Sequence, residues 1–341
     1  MPRRDNPCAL SCFGMYFFDQ NHIYIGVLTF ILGSVGYAGS IVFYNAYLPE
    51  IAYPEQQDNV SAKGFIYGYS GSVLLLVFSL VMVQKPEWFG IIDPTLAPRI
   101  TFLLVGAWWL GFAQITFRKL PNNVHNRKPE KDYIWKGFRE LKIVAKQVIE
   151  NPTLKRFLIS FFLLSVGVQT IILLATIFGS SELGLAAIDL IITVLLIQIV
   201  AIFGAFLFSR ISEIKGNIMA LKISIFIWTI VCFGAFLLHK DLPNVDLYFY
   251  SLGAVLGLVL GAIQSLARST YSKLLPETQD HATYFSFYDV TEKIAIVLGT
   301  LVYGFLYAIT DSMQWSVLSL ALFFLAAFIV LSTMKKSKYV Q

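Results

Sequence analysis

The sequence predicts an all-α polytopic membrane protein, on three observations: its composition, its series of long apolar runs, and a short motif that occurs twice. Of the 341 residues, 57% are hydrophobic and only 14% charged, with a mean hydropathy of +0.68; soluble domains carry about 25% charged residues. Runs long enough to cross a hydrocarbon core of ~30 Å recur along the chain, near 22–48, 61–84, 98–117, 154–179, 187–209, 219–238, 246–271, 283–309 and 314–334. Lipid offers the backbone no hydrogen bonds, so runs this long and continuous are read as helices. The short alternating segments of a β-barrel are absent from the sequence.

The first element is a run of eleven apolar residues at 8–18, preceded by Arg3 and Arg4. Eleven helical residues reach ~16 Å, too short to span. One reading is the apolar region of a secretory signal, although Asp19-Gln20-Asn21-His22 follows where small residues would mark a cleavage site. The other is the tail of a helix whose beginning is missing, and the repeat favours it.

That repeat is Leu-Pro-Glu, at Leu48-Pro49-Glu50 and again at Leu275-Pro276-Glu277. Each copy ends a long apolar helix, precedes a short polar loop, and leads to a helix that opens with aromatics: Phe65 and Tyr67 in the first, Phe287 and Tyr288 in the second. The copies lie about 225 residues apart, a period of about six helices, which marks an internal duplication. Two helices follow the second copy, so it ends the fourth member of a six-helix half beginning near 154. The first copy, by symmetry, also ends a fourth helix. The expectation is two parallel six-helix halves, the major facilitator architecture, with the first half lacking about its first two and a half helices. The chain is thereby divided into an incomplete N-terminal half at 1–117, a cytoplasmic linker at 118–153, a complete C-terminal half at 154–334 and a tail at 335–341.

Within the linker, Pro121 to Glu130 reads as a polar connector. After Asp132, Ile134, Phe138, Leu141, Ala145 and Val148 recur at helical spacing, with Lys136, Arg139, Lys142 and Lys146 off that stripe. This predicts an amphipathic helix suited to the cytoplasmic leaflet, ended by Asn151-Pro152.

The net charge of +5 is a topology signal rather than a nucleic-acid footprint. Eleven Lys/Arg fall between 118 and 156, and others follow at Arg210, Lys215, Lys222, Arg268, Lys273, Lys335, Lys336 and Lys338; the alternate loops hold only Lys85, Arg99 and Lys240. The positive-inside rule puts the central loop and the C-terminus in the cytoplasm. Cys8, Cys12 and Cys232 form no metal-ligand pattern and read as buried small hydrophobes.

Polar groups inside spans each need an account. Asp289, Glu292 and Lys293 form the densest cluster: Asp289 and Lys293 stand i,i+4 and can neutralise each other, while Glu292 lies beside a like charge. The cluster reads either as a gate or proton-coupling site or as a self-paired group at the interface. Arg268 ends a helix whose Gly253, Gly257 and Gly261 form a close-packing face; it is placed to interact with its own helix dipole or to reach Asp289 or Glu292. Asn45 is the matching polar position of the first half. Gln169 and Gln198, mid-span, and Gln264 are candidate cavity-lining or inter-helix amides. Gln114 lies near a span's end, and Asp189 reads as a helix N-terminal dipole partner.

Taken together, Tyr44 to Ala52, Val60 to Phe65, Gln264 to Ser269 and Phe287-Tyr288-Asp289 resemble the vacuole-effluxer-like family of major facilitators, which includes fungal autophagy-related vacuolar transporters and bacterial permeases. The resemblance runs from about residue 9 to the end. It implies a secondary transporter working by alternating access on a small solute, with amino acid efflux the substrate class of the fungal branch and protons a possible coupling ion. Its membrane is then a bacterial inner or plasma membrane, or a vacuolar one. Ser209, Glu213, Gly216 and Asn217 fall at the spacing of the family's inter-helix loop motif, with Ser and Asn in place of its first Gly and its Arg; an ordinary turn is the equal alternative. The acid of such a loop can cap a neighbouring helix and the glycine allow a tight turn.

No cofactor is implied, and the sequence carries no ATP-binding motif. An intramembrane enzyme needs clustered acids, a His/Asp metal set or a nucleophile with its base, whereas His22, His125, His239 and His281 lie far apart in loops. The remaining alternative to a transporter is a truncated chain that inserts without transporting.

Overall fold

A computed structural model describes residues 7–119, 133–278 and 280–334, and all regular structure among them is helical. The helices are α1 (Pro7–Met15), α2 (Ile23–Ala46), α3 (Leu48–Ile51), α4 (Gln57–Gln84), α5 (Leu96–Lys119), α6 (Tyr133–Glu150), α7 (Pro152–Ile177), α8 (Ala187–Lys215), α9 (Asn217–Phe236), α10 (Val245–Leu274), α11 (His281–Thr310) and α12 (Met313–Ser332). Among the described residues nine helices are long and apolar enough to cross a membrane, at the nine places the apolar runs foresaw. The helices reach beyond those runs where polar first and last turns continue the backbone, most usefully at the start of α4, which begins at Gln57 rather than 61.

Residue contacts separate the chain into two compact units, Met1–Tyr44 with Leu74–Phe138, and Asn45–Val73 with Arg139–Gln341. In the first, α1 is seated on α2 and α5. Ser11 lies against Gly33 and Phe13 against Gly106, the absent side chains leaving room for close approach. The turn into α2 is held by Asp19, which accepts from the His22 ring and from the backbone of Asn21 and His22, and from Arg99 at 3.3 Å. The His22 hydrogen bond, first among these effects, holds the Asp19 carboxyl below the usual carboxylate range.

In the second unit, Asn151 both ends α6 and starts α7. Its side chain accepts from the backbone of Thr153 and Leu154 at 3.1 and 3.2 Å, with Pro152 next in line, the arrangement an N-cap followed by proline favours. The α7 to α12 bundle is knit by aromatics and small residues. Phe324 of α12 is fully buried against Gly167 of α7 and stacks on Trp228 of α9 at 5.5 Å. The glycine face of α10 packs on α8: a methyl on Gly257 would fall 2.5 Å from the Ile197 carbonyl oxygen, and one on Gly261 would strike that of Ala201. Only hydrogen fits at those positions, and backbone meets backbone.

The two Leu-Pro-Glu copies differ in conformation. The first forms the helical turn α3 with Leu48 buried. At the second, Leu275 is extended, as a residue before proline prefers. The amphipathic helix is present as α6, but its buried face is Val144 and Val148, while Phe138, assigned to the apolar stripe, is 65% exposed. The helix turns its inner side toward α11, where the Tyr284 hydroxyl donates to Gln147 at 2.6 Å, and that contact fixes its rotation. Ile134 and Lys136 lie outside the residues whose side chains are described, as does the tail from Lys335.

Candidate functional site: a polar seam between α4 and α10

Asp58, Ser61, Phe65 and Tyr69 recur every three or four residues, so they share one face of α4. They meet Lys273, Arg268 and Gln264 in reverse order along α10, so the two helices run in opposite directions along this seam. All of it lies within the second unit.

At one end is a buried ion pair. Lys273 donates to Asp58 Oδ2 at 2.7 Å, with side chains 5% and 6% exposed. Ser212 at the end of α8 donates to the same oxygen at 2.7 Å, and Asn217 at the start of α9 donates to Oδ1 at 2.7 Å. The Asn217 carbonyl in turn accepts from Lys273 at 3.0 Å, and its amide reaches Thr270 at 3.1 Å. Two charges out of water are tolerated only when such hydrogen bonds complete their shells. Four segments therefore converge on one carboxylate.

One to two turns along α10, Arg268 is 3% exposed. It donates through Nε to Ser61 Oγ and through Nη2 to the Ser61 carbonyl, both at 3.0 Å, and through Nη1 to Asn45 Oδ1 at 3.3 Å. Its guanidinium lies 4.8 Å from the centre of the Phe65 ring, within cation–π range. Ser61 passes the hydrogen bond on to the Ser265 carbonyl at 2.7 Å. A turn further, the Tyr69 hydroxyl donates to Gln264 Oε1.

A second polar group lies between α7 and α11. Gln169 donates to Glu292, and Lys293 lies 3.5 Å from Asp289 within α11. Glu292 lies eleven positions after His281, ~16 Å along α11 from its start.

The structure thus brings Asn45 to Arg268, Gln169 to Glu292 and Lys293 to Asp289, and gives Gln264 a partner in Tyr69. Among the described residues, hydrogen bonds of Arg268 run to Ser61 and Asn45, across to the residues flanking the first Leu-Pro-Glu. Gln198 is half-buried on α8 with no hydrogen bond among the described residues, and Gln114 is exposed. Asp189 serves its helix start: it accepts from the Ala186 backbone at 3.1 Å and from the Tyr250 hydroxyl at 2.7 Å. Of the loop-motif positions, Gly216 makes the turn with φ +83°. Glu213 is spent on Arg210 at the surface, at 2.9 Å, instead of capping a neighbouring helix. Asn217 is the one that reaches another segment. Cys232 is fully buried, and Cys8 and Cys12 are half-buried.

Sequence reasoning missed Asp58, Ser212 and Lys273. Asp58 lies ahead of the apolar run that starts at 61, and Lys273 counts in the sequence among the topology charges. The usable signal was an acid followed by Ser61, Phe65 and Tyr69 at helical spacing. No group of three or more His, Cys, Asp or Glu able to hold a metal occurs among the described residues.

An apolar bundle of long helices with polar groups confined to a few helix faces defines an integral membrane protein, and the fold is that of the major facilitators. The Escherichia coli fucose:proton symporter superposes with a TM-score of 0.68 at 14% identity, over 98% of this chain and 82% of that one. The human organic anion transporter MFSD10 does so with 0.68 at 14%, over 96% and 76%. The model of the family described as "Vacuole effluxer Atg22 like" matches residues 8–340. The chain belongs to that family. An uncharacterized MFS-type transporter of Bacillus subtilis, YxiO, is 28% identical over 321 residues, 93% of this chain and 72% of that protein. Autophagy-related protein 22-1 of Penicillium rubens is 28% identical over 275 residues, 74% of this chain but 44% of that one. The chain spans about half the length of several fungal relatives it matches.

Proposed function

We propose that the protein is a secondary transporter that carries a small solute across its membrane by alternating access, and that the α4–α10 seam is the gate at one end of the path. The observation that carries this is the convergence of Asp58, Lys273, Ser212 and Asn217. A buried ion pair is weak support for stability but apt for specifying one of two states. In this reading Asn45–Val73 belongs to the N-terminal half, the helices from 154 to 334 form the C-terminal half, and 118–153 links them. The positively charged ends, the C-terminus included, face the cytoplasm, so the gate is the cytoplasmic one. Arg268 with Asn45 and Ser61 continues it inward, and Gln264 and Tyr69 line the solute path beyond it in this reading.

Glu292 is the coupling carboxylate in this reading. Ionised, it only accepts, here from the Gln169 amide; protonated, it gains an O–H that a turned Gln169 carbonyl can accept. The pair therefore has two arrangements that a proton selects, with Asp289 and Lys293 setting the local charge. Amino acid efflux is the substrate class that the fungal resemblance implies.

Reconstituted in proteoliposomes, the protein is expected to take up labelled amino acids, driven faster by an imposed proton gradient. Glu292→Gln is expected to abolish the gradient's effect while leaving exchange at equal pH. Gradient-driven uptake that is unchanged in both Glu292→Gln and Asp289→Asn would remove the coupling role.

A further inference from the structure

The first Leu-Pro-Glu copy meets the start of the helix that follows the second. Glu50 of the first lies with its Oε1 3.6 Å from Nδ1 of His281, the first residue of α11 after the second copy. The imidazole side chain is 19% exposed and the carboxylate 48%, and His281 Nδ1 is buried with no hydrogen-bond partner among the described residues. The gap is one that an N–H on that nitrogen and a small shift would close. We propose that this pair is a cytoplasmic-pH brake on the gate: protonation of His281 creates a charge pair between the first Leu-Pro-Glu copy and the start of α11 and holds the gate shut. The proposal rests on the reading of this end as the gate.

The sign follows from the surroundings. Glu50 faces His281 from α3, with Tyr47 at the start of that turn. On its own side stand Asp280 and Tyr284, and Glu277 belongs to the same loop. Glu140 and Glu150 of α6 line a cavity of about 500 Å³ with Asp280 and Tyr284. The nearest lysine in the seam, Lys273, is committed to Asp58. The charged group that the structure places against the imidazole is Glu50; Glu150 on the cavity wall is shared with Lys146 at 4.0 Å, and the start of α11 opposes a cation, because a helix N-terminus disfavours one. Histidine is the side chain whose ordinary titration spans the physiological range. The attraction is present on the acid side and lost as pH rises. Partly exposed ion pairs of this kind change an equilibrium by about two- to fivefold, enough to trim a rate without locking the gate.

The test is a distance measurement between spin labels at Tyr53→Cys and Thr278→Cys in the full chain, with Cys8, Cys12 and Cys232 replaced by alanine, in lipid nanodiscs between pH 5.5 and 8. The short-distance population is expected to grow about two- to fivefold relative to the long one toward pH 5.5. In His281→Gln and in Glu50→Gln the ratio is expected to be flat with pH, and in His281→Lys to stay at its acid value throughout. A pH-dependent ratio that survives His281→Gln, or a ratio flat in the parent, overturns the brake. A ratio that shifts with pH and goes flat in His281→Gln, with no solute uptake in proteoliposomes, would support the Glu50–His281 contact while counting against the transporter reading on which its role as a brake rests.

Discussion

Asp58→Ala offers the most direct test of the seam. The substitution removes the carboxylate that meets Lys273, Ser212 and Asn217 and strands an ammonium whose side chain is 5% exposed. Breaking a buried pair by deleting one partner costs ~3–5 kcal/mol. If the pair exists in one of two conformations, the penalty falls on that conformation alone, and 3 kcal/mol moves the ratio about a hundredfold. A cysteine at Ala62, which is 3% exposed on the adjacent turn of α4, reports the opening through its rate of modification by a membrane-impermeant thiol reagent. With Cys8, Cys12 and Cys232 replaced, Asp58→Ala is expected to raise that rate by one to two orders of magnitude. Adding Lys273→Met is expected to return it most of the way, since replacing both ions by apolar groups is often nearly neutral. Labelling of Asp58→Ala within about threefold of the parent would refute the reasoning, because an energy below ~0.7 kcal/mol is that of a surface contact. So would a double variant no slower than the single one. The apparent Tm of each variant separates opening from unfolding.

Gly261→Leu should be poorly tolerated, since even its first carbon strikes the Ala201 carbonyl oxygen; a loss of ~1–3 kcal/mol is expected as a lower apparent Tm, with Gly304→Leu, which has open space around it, near the parent value. Phe324→Ala removes a fully buried ring from between Trp228 and Gly167 and should cost ~3–5 kcal/mol, read by thermal denaturation in detergent. At Asp19 the folded carboxyl is held down by His22, so its contribution is present above the ordinary carboxylate range and lost as pH falls through the folded value. Protease cleavage in the 16–22 turn is therefore expected to rise as pH is lowered below ~4, and Asp19→Asn should show the raised cleavage already at neutral pH.

The sequence alone determined the positions of the nine spans, because burial in lipid demands length and apolarity that any window of the chain displays. It also determined the packing face of α10, since glycines four apart admit only a close neighbour, and the Asp289–Lys293 pairing, which needs no more than one helix turn. Which helix met the glycine face could not be read, and α8 supplies it. The helical spacing of Ser61, Phe65 and Tyr69 after Asp58 marks a face of α4, but no local pattern named Lys273 as the partner of that face or led Arg268 to Asn45 and Ser61. The reason is physical. A helix face is set by 3.6-residue periodicity within one segment, whereas a partner across more than two hundred residues is set by how whole helices stack, their direction and their register. Tertiary structure decided which charges became a seam, and why the first Leu-Pro-Glu copy ends up beside the start of α11 through Glu50 and His281.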